Sequence, residues 1–382
     1  MNQQKASSRI FFMAAILILS VSGILLFVLP EHSYSENENR YLTTFKQPSV
    51  SAFLDTSMQK NITDGANDQF AGRDLWMKFA CSMQHAAGFQ DIGGVYLGRN
   101  GYYFERILDS DLSEKHYTDN LNYLNQAAAR YQTVKTCFLP VPSKGEILKN
   151  ELPANAVLYD SDRLYAQAQK KLANVSLADI RKELTAKSKD LQLYFKTDHH
   201  WTMDAAYTAY QFWCGMHKYE PGPLKQFKPE CVSDSFYGTL YSKTPEFHTQ
   251  PDKLLVPSAL PKADITINGK EADSIYDRSK LNTKDKYGVY FGGNFGRIDI
   301  KRKPDSQKKQ PAPKTLLVVK DSFANSFVPY LMEHYSQITM LDFRYYNKPF
   351  SKLMQEIQPD ELLIFYEMSN FAQDADFFKI LK

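Results

Sequence analysis

The sequence predicts an α/β domain with a mainly parallel sheet, preceded by one apolar N-terminal segment. Residues 10–29 carry no charge. Beyond them, short apolar runs alternate with helical stretches, which is typical of a parallel sheet. Residues 315–319 have the pattern of a buried strand and end in polar Lys320, Asp321 and Ser322. Loops at the carboxyl ends of such strands are where α/β proteins place their sites.

Composition excludes several classes of protein. The 382 residues include 46 Lys+Arg and 43 Asp+Glu, which gives a net charge of +3. A charge this small does not indicate binding to nucleic acid. With 43% hydrophobic and 23% charged residues the chain is globular, not disordered or fibrous. Its 24 Tyr and 25 Phe either stack on carbohydrate or simply pack the core.

The N-terminus predicts a membrane anchor. Twenty uncharged residues are long enough to span a bilayer. The segment ends at Pro30 without a small-residue cleavage pattern, which favours an uncleaved anchor over a signal peptide. Lys5 and Arg9 precede it, so the N-terminus is expected to stay inside and the remainder to face outward. We therefore expect a single-pass protein of the cell membrane with an extracellular or periplasmic C-terminal domain.

The expected organisation has four parts. Residues 1–9 are predicted as a cytoplasmic tail, 10–29 as the transmembrane anchor, 30–80 as a stalk with a helical segment, and 81–382 as the globular domain. The four cysteines contain no C-x-x-C pair, so structural thiols are expected. A disulfide bond between Cys214 and Cys231 is the alternative.

The elements follow from local patterns. Residues 94–104 predict a hairpin that turns at Asn100-Gly101. Residues 56–87 predict helix with a break at 70–74, residues 220–264 an irregular insertion, and residues 301–314 an exposed basic loop. The remaining predicted elements are helices 112–131, 160–173, 203–216, 324–335 and 352–357, and strands 136–141, 315–319, 338–343 and 362–366.

The first candidate site lies in a loop before a predicted helix. Asp198, His199 and His200 follow an apolar run and precede Thr202, a candidate helix cap. A general base needs a carboxylate that orients one imidazole nitrogen while the other faces substrate, and Asp198 with either histidine supplies that pair. Metal binding by the same three residues and two merely hydrogen-bonded histidines are the alternatives.

The second candidate is the end of strand 315–319. Ser322 follows it directly and precedes a helix, whose N-terminal N–H groups would face a developing oxyanion. Alternatively, Asp321 or Ser322 only caps that helix. Glycine-rich residues 290–296 form a third candidate, in which Gly293 and Asn294 complete an oxyanion hole or belong to a simple turn.

These motifs together resemble the DHHW protein family. The resemblance rests on four segments and covers roughly residues 36–370: the tetrad Asp198-His199-His200-Trp201 within its threonine flanks, the pair Asp321-Ser322, the triplet Glu38-Asn39-Arg40, and the hairpin at residues 98–104. The family is similar to the SGNH-hydrolase-like O-acetyltransferases of alginate acetylation.

The resemblance implies an SGNH-like three-layer α/β/α sandwich, circularly permuted because the Asp-x-His loop precedes the serine. It implies that Asp198 orients His200, that His200 is the base, and that Ser322 is the nucleophile which becomes acetylated. His199 occupies the variable position, and Lys320 stands where SGNH enzymes have glycine. No cofactor or metal is implied.

The function expected from these features is O-acetylation of a cell-surface or secreted polysaccharide. A membrane-bound O-acyltransferase would supply the acetyl group. Gly293 and Asn294 are candidate oxyanion donors, and His199 and Trp201 candidate substrate contacts, with Tyr237 and Tyr241 as further stacking residues. A carbohydrate or acyl esterase would use the same triad.

A non-catalytic polysaccharide-binding component of an export complex is the other alternative. It predicts that the serine oxygen and the imidazole nitrogens are more than about 6 Å apart, well beyond the roughly 3 Å of a working pair.

Overall fold

The computed structural model describes residues 2–35, 37, 38, 40–304 and 313–382. Glu36, Asn39 and residues 305–312, most of the predicted basic loop, lie outside the described residues, as does Met1 of the predicted tail. The chain divides into two compact units. One comprises Met1–Gly88 with Thr244–His248, and the other comprises Phe89–Lys243 with Thr249–Lys382.

The N-terminal unit is mainly helical. Its elements are α1 (Asn2–Val28), β1 (Tyr34–Ser35), β2 (Arg40–Tyr41), α2 (Val50–Leu54), α3 (Ser57–Asp68) and α4 (Arg73–Ala86). Within α1, Arg9–Leu26 is long and apolar enough to cross a membrane. The helix predicted over residues 56–87 is confirmed, with its break between α3 and α4.

The larger unit is built on an eight-stranded sheet. Its strands lie in the order β11-β10-β12-β14-β13-β15-β6-β7. The five strands from β14 to β7 run parallel, whereas β12, β10 and β11 add an antiparallel edge. The bounds are β6 (Lys135–Val141), β7 (Ser176–Leu177), β10 (Ala263–Ile267), β11 (Lys270–Ala272), β12 (Arg297–Arg302), β13 (Thr315–Lys320), β14 (Gln337–Leu341) and β15 (Glu361–Glu367).

Smaller strands and the remaining helices complete this unit. β3 (Asp91–Ile92), β4 (Val95–Leu97) and β5 (Tyr103–Glu105) form a three-stranded antiparallel sheet that contains the predicted hairpin. The helices are α5 (Glu114–Arg130), α6 (Lys144–Ile147), α7 (Ser161–Lys171), α8 (Arg181–Lys187), α9 (Met203–His217), α10 (Thr239–Lys243), α11 (Ala324–Leu331), α12 (Phe350–Ile357) and α13 (Met368–Gln373).

Alternating side chains of the strands form a separate core on each face of the sheet. In β13, Leu316 and Val318 join one core, which also receives α9 and α11. Leu317 and Val319 join the other, packed with α5, α12 and α13. Because successive strand residues point to opposite faces, one continuous apolar run serves both helical layers. The structure therefore confirms the three-layer α/β/α prediction.

The order of connections creates a crevice at the carboxyl end of β13. The chain leaves β13 through α11 to β14, and then returns through α12 to β15 on the opposite side of β13. In open α/β sheets, ligands bind where connections diverge in this way. The residue that occupies this point is Ser322.

The prediction of an irregular insertion at residues 220–264 is wrong. β8 (Pro229–Phe236) and β9 (Asp252–Pro257) pair as an antiparallel ribbon in this segment. Two register irregularities, between Cys231 and Ser233 and between Ser233 and Phe236, break the period-two pattern that identifies a strand in sequence. All four cysteines lie among the described residues and are free thiols, with Cys214 buried and Cys231 exposed.

Candidate active site

The loop before α9 is held by a buried carboxylate from the insertion. Asp252 of β9 accepts hydrogen bonds from the backbone N–H groups of Lys196 and Thr197, both at 2.8 Å. The Thr197 hydroxyl also donates to Asp252 at 2.7 Å. A charged acceptor bound by several donors is a strong restraint. Asp252 thus sets the position of the Asp198 backbone, which follows directly.

Four hydrogen bonds surround the Asp198 carboxylate. Oδ1 accepts from the His200 backbone N–H at 2.9 Å and from His200 Nδ1 at 2.6 Å. Oδ2 accepts from the N–H of Thr239 at 2.8 Å and from its hydroxyl at 3.1 Å. Burial raises the pKa of Asp198, but the neighbouring His199 and His200 and these bonds hold it well below the ordinary value. Asp198 is therefore ionised.

Ser322 completes a continuous relay. Its Oγ lies 2.7 Å from His200 Nε2, on the side of the ring opposite Asp198. Because a carboxylate only accepts, His200 Nδ1 carries the proton, so Nε2 of the neutral ring accepts from the Ser322 hydroxyl. The Tyr287 ring stacks on His200 at 3.8 Å between centroids. The separation of more than about 6 Å that a non-catalytic component predicts is not observed.

The environment of His200 favours the neutral imidazole. Burial and the neighbouring His199 lower the pKa of His200, while the Asp198 carboxylate opposes this shift. The result is a pKa below the ordinary value, so the ring is unprotonated at neutral pH. A neutral imidazole hydrogen-bonded to a hydroxyl is the state that a general base needs.

Hydrogen bonds of Asp321 and Trp201 hold the turn that carries Ser322. Asp321 accepts from the backbone N–H groups of Phe323 at 3.0 Å and Glu367 at 2.8 Å, which ties the turn to the end of β15. Trp201 donates through its indole N–H to the Phe323 carbonyl at 3.1 Å. Trp201 is wholly buried, so the prediction that it contacts substrate is wrong, and its role is to support this turn.

The two candidate oxyanion donors, Asn294 and Gly293, have different hydrogen-bond partners. Lys320 Nζ donates to Asn294 Oδ1 at 3.0 Å and to Asn325 Oδ1 at 2.8 Å. Since an ammonium only donates, the Asn294 oxygen must face Lys320, and its NH₂ group points elsewhere. The Gly293 N–H instead donates to the Tyr290 carbonyl at 3.1 Å, so the predicted role of Gly293 as an oxyanion donor is not supported.

The Ser322 backbone N–H makes no hydrogen bond within the part of the chain that the structure describes. It lies just after the end of β13, beside the hydroxyl oxygen of the same residue. It is therefore available to a negative charge that develops there.

His199 adds a hydrogen bond to the relay on the more exposed side of the site. Its Nδ1 lies 2.7 Å from the Thr239 hydroxyl, which itself donates to Asp198. The Thr239 proton is thus engaged, so His199 Nδ1 donates to the Thr239 oxygen. The ring is partly exposed and borders a pocket.

This pocket lies beside the relay, is partly open to solvent and has a cavity volume of about 50 Å³. His199 and Phe323 form the wall next to the triad, and Asn370, which bonds Asp321, lies on the same cavity. The other walls combine carboxylate, ammonium, hydroxyl and aliphatic groups, contributed by Glu105, Glu367, Lys144, Ser143, Ser369, Tyr159, Gly145, Ile107, Leu158 and Leu240.

Two buried groups in the pocket have pKa values close to neutrality. Burial raises the pKa of Glu367 to about 7, against the hydrogen bonds from Ser369 and Asn370. Burial lowers the pKa of Lys144 to about 7, opposed by Asp252 and Asp198. Its Nζ donates to the carbonyls of Tyr103 at 2.6 Å and Lys196 at 3.3 Å.

Asp198, His199 and His200 also offer three metal-ligating atoms within 4.8 Å of one another. These atoms are engaged in the hydrogen bonds to Ser322, Thr239 and the His200 backbone described above. A metal ion would have to replace those bonds, so the donor set fits a proton relay better.

Three residues that organise the site were not found from sequence. Asp252, Thr239 and Tyr287 lie 54, 41 and 89 positions from Asp198 in the chain. None belongs to a recognisable motif, and no local pattern links them to the Asp-His loop. Thr202 directly precedes α9, but its hydroxyl donates to the Gln192 carbonyl at 2.7 Å, so the prediction that it caps the helix is wrong.

Gly238→Ala is expected to damage the relay. A Cβ at this position would lie 2.2 Å from the Asp198 Cβ and 2.3 Å from its Oδ2. Overpacking of this kind costs about 1–3 kcal/mol, and a displacement near 1 Å costs about 10²-fold in reactivity. The checks are thermal unfolding and the rate at which Ser322 reacts with a sulfonyl fluoride. Gly215→Ala, in α9 with nothing within 4 Å, is the matched control and should retain both.

The reactivity of Ser322 should fall at acidic pH with a midpoint below 6.5. Protonated His200 cannot accept the Ser322 proton, so reactivity is lost as pH falls through the lowered His200 pKa. Intact mass spectrometry of sulfonyl fluoride labelling across pH measures this profile. A midpoint at or above 6.5 would contradict the buried, neutral imidazole.

Comparisons with known proteins agree with this architecture. A DHHW protein from Eubacterium siraeum DSM 15702 is 21% identical with a TM-score of 0.61, over 76% of this chain and 95% of that one. Bacillus cereus PatB1 with a sulfonyl adduct is also 21% identical, with a TM-score of 0.61 over 75% and 97%. The O-acetyltransferase domain of Pseudomonas putida AlgJ is more distant, at 16% identity and a TM-score of 0.45 over 74% and 94%.

No curated protein sequence is significantly similar to this chain. The DHHW protein family model, however, matches residues 91–341, which include both the Asp-His-His-Trp loop and Ser322. This match covers well over half of the chain. The chain therefore belongs to the DHHW protein family.

Proposed function

We propose that this protein is an O-acetyltransferase that modifies a cell-surface or secreted polysaccharide through Ser322, His200 and Asp198. The observation that carries the proposal is the unbroken relay, with 2.7 Å from Ser322 Oγ to His200 Nε2 and 2.6 Å from His200 Nδ1 to Asp198 Oδ1. The similarity of the DHHW family to SGNH-like O-acetyltransferases supports acetyl as the transferred group.

The first half-reaction acetylates Ser322. Its Oγ attacks the carbonyl carbon of an acetyl donor while His200 Nε2 takes the hydroxyl proton. Asp198 stabilises the imidazolium that forms. The oxyanion is stabilised by the Ser322 N–H and the Asn294 NH₂ group. Collapse of the intermediate expels the donor's leaving group, which takes the proton from His200.

The second half-reaction transfers the acetyl group to a sugar. A sugar hydroxyl gives its proton to His200 Nε2 and attacks the acetyl carbon, and Ser322 recovers its proton as it leaves. The acceptor sugar occupies the pocket beside His199 and Phe323. There the His199 ring forms a hydrogen bond with a neighbouring hydroxyl of the sugar.

The proposed location is the outer face of the cell membrane. α1 spans the bilayer as an uncleaved anchor, with Lys5 and Arg9 on the cytoplasmic side. Residues 1–9 are then the cytoplasmic tail, residues 30–80 the stalk with its helices, and residues 81–382 contain the catalytic domain. A membrane-bound O-acyltransferase delivers acetyl groups from the cytoplasm to this domain.

The triad is tested by acetylating the full chain in detergent with an activated acetyl ester and measuring intact mass. The wild type should gain one acetyl group, and Ser322→Ala none. Ser322→Ala and His200→Ala should each reduce turnover about 10⁴-fold or more, and Asp198→Asn strongly, with no further loss in double variants. Full activity of Ser322→Ala would refute the mechanism. Added oligosaccharides separate acetylated sugar, the transferase result, from free acetate, the esterase result.

Filling the pocket should block the acceptor without blocking Ser322. Ile107→Trp extends a larger side chain from the pocket wall, so the KM for the sugar should rise at least about tenfold while Ser322 acetylation is retained. Steady-state transfer kinetics measure this change. Val157→Trp is the matched control, since Val157 is 62% exposed and does not line the pocket. An unchanged KM would place the acceptor elsewhere.

A further inference from the structure

Helix α4 carries an exposed apolar stripe. Leu75 is 62% exposed, Trp76 44%, Phe79 50% and Met83 55%. At 100° per residue these four positions fall within about 100° of the helix circumference. Exposed aromatic and aliphatic side chains grouped in this way mark a surface that another apolar phase contacts.

Part of the surface of α4 contacts other segments of the same unit. Its first turn bonds Glu38 through Arg73 and Asn37 through Asp74. Near its C-terminal end, Ser82 Oγ accepts from the Phe247 N–H at 3.3 Å. These contacts fix the rotation of the helix and leave the apolar stripe outward.

The start of α4 is connected to the end of α1 by a short, hydrogen-bonded path. Gln69 accepts from the His32 N–H and donates to the His32 carbonyl, both at 2.9 Å. His32 lies four residues after Val28, where α1 ends, and Gln69 lies four residues before Arg73, where α4 begins. Four residues span at most about 14 Å. The two segments and the hydrogen-bonded pair between them therefore keep the first turn of α4 within about 35 Å of the point where α1 would leave the bilayer.

We propose that α4 lies in the lipid–water interface of the membrane that α1 spans, with Leu75, Trp76, Phe79 and Met83 inserted among the lipids. The proposal rests on the membrane anchoring in the proposed function and adds a second contact with the bilayer. Amphipathic helices with Trp, Phe and Leu on the apolar face bind in the plane of the interface. At 14 residues, α4 is about 21 Å long, too short to span a bilayer but sufficient to lie in its surface.

The bilayer is favoured as the occupant because the path through His32 and Gln69 places the stripe near it. The indole N–H of Trp76 suits this position, since tryptophan prefers the interface, where its ring is in lipid and its polar edge is hydrated. The contact would restrict rotation of the rest of the N-terminal unit about the axis of α1.

Trp76 itself reports the contact. The chain has three tryptophans, and Trp201 and Trp213 are wholly buried, so Trp76 alone is open to an external quencher. The full chain is reconstituted in phosphatidylcholine–phosphatidylglycerol vesicles brominated either near the headgroup or near the chain end. Shallow bromine should quench up to about a third of the emission, and this quenching should vanish in Trp76→Phe.

A second variant separates insertion from local unfolding. Leu75→Gln combined with Phe79→Gln should weaken the quenching of Trp76 at least about twofold, whereas Leu191→Gln, an exposed leucine of the larger unit, should not change it. Alkaline carbonate extraction is run in parallel. Retention with shallow quenching supports the proposal.

Two results would overturn the inference about α4. Retention without quenching above that of Trp76→Phe would reject it and leave the anchor intact. Release of the chain by carbonate would reject the anchor as well. Neither result affects acetylation of Ser322, which is measured separately.

Discussion

A buried charge is the constraint on which the site depends. The Asp198 carboxylate is almost completely removed from water, and an unpaired charge in that position would cost several kcal/mol. Its hydrogen bonds from His200 and Thr239 compensate for this cost. Because the same bonds set the orientation of the imidazole, the requirement to stabilise Asp198 and the requirement to position the base are met by one arrangement.

The insertion between α9 and β10 does much of this stabilising. Asp252 holds the backbone before Asp198, and Thr239 holds its carboxylate. The sheet supplies only the serine turn, which Asp321 joins to β15. The relay thus combines two parts of the larger unit, the sheet end that is followed by Ser322 and the insertion that supports Asp198 and His200.

Local patterns predicted the parallel sheet, the strand end with Ser322 and the loop with Asp198 and His200, because each depends on residues that are close in sequence. The ribbon of residues 229–257 was missed because its bulges interrupt the alternation of inward and outward side chains that identifies a strand in sequence. Trp201 was misinterpreted because it is buried where its indole N–H donates to the Phe323 carbonyl, 122 residues away. Long-range packing of this kind leaves no trace in a local pattern, whereas strand and helix periods do.

The distance along the chain between His200 and Ser322 affects how the protein matures. The two residues are 122 positions apart, and the ribbon that supports the base is translated between them. A contact between residues so far apart requires closure of a long loop, and the entropy lost in that closure is not offset until the contact has formed. Such contacts therefore form late in folding. A chain that emerges on the far side of a membrane would therefore remain chemically inert until its last strands are in place. Under the proposed mechanism, this order of assembly would keep Ser322 from being acylated before folding is complete.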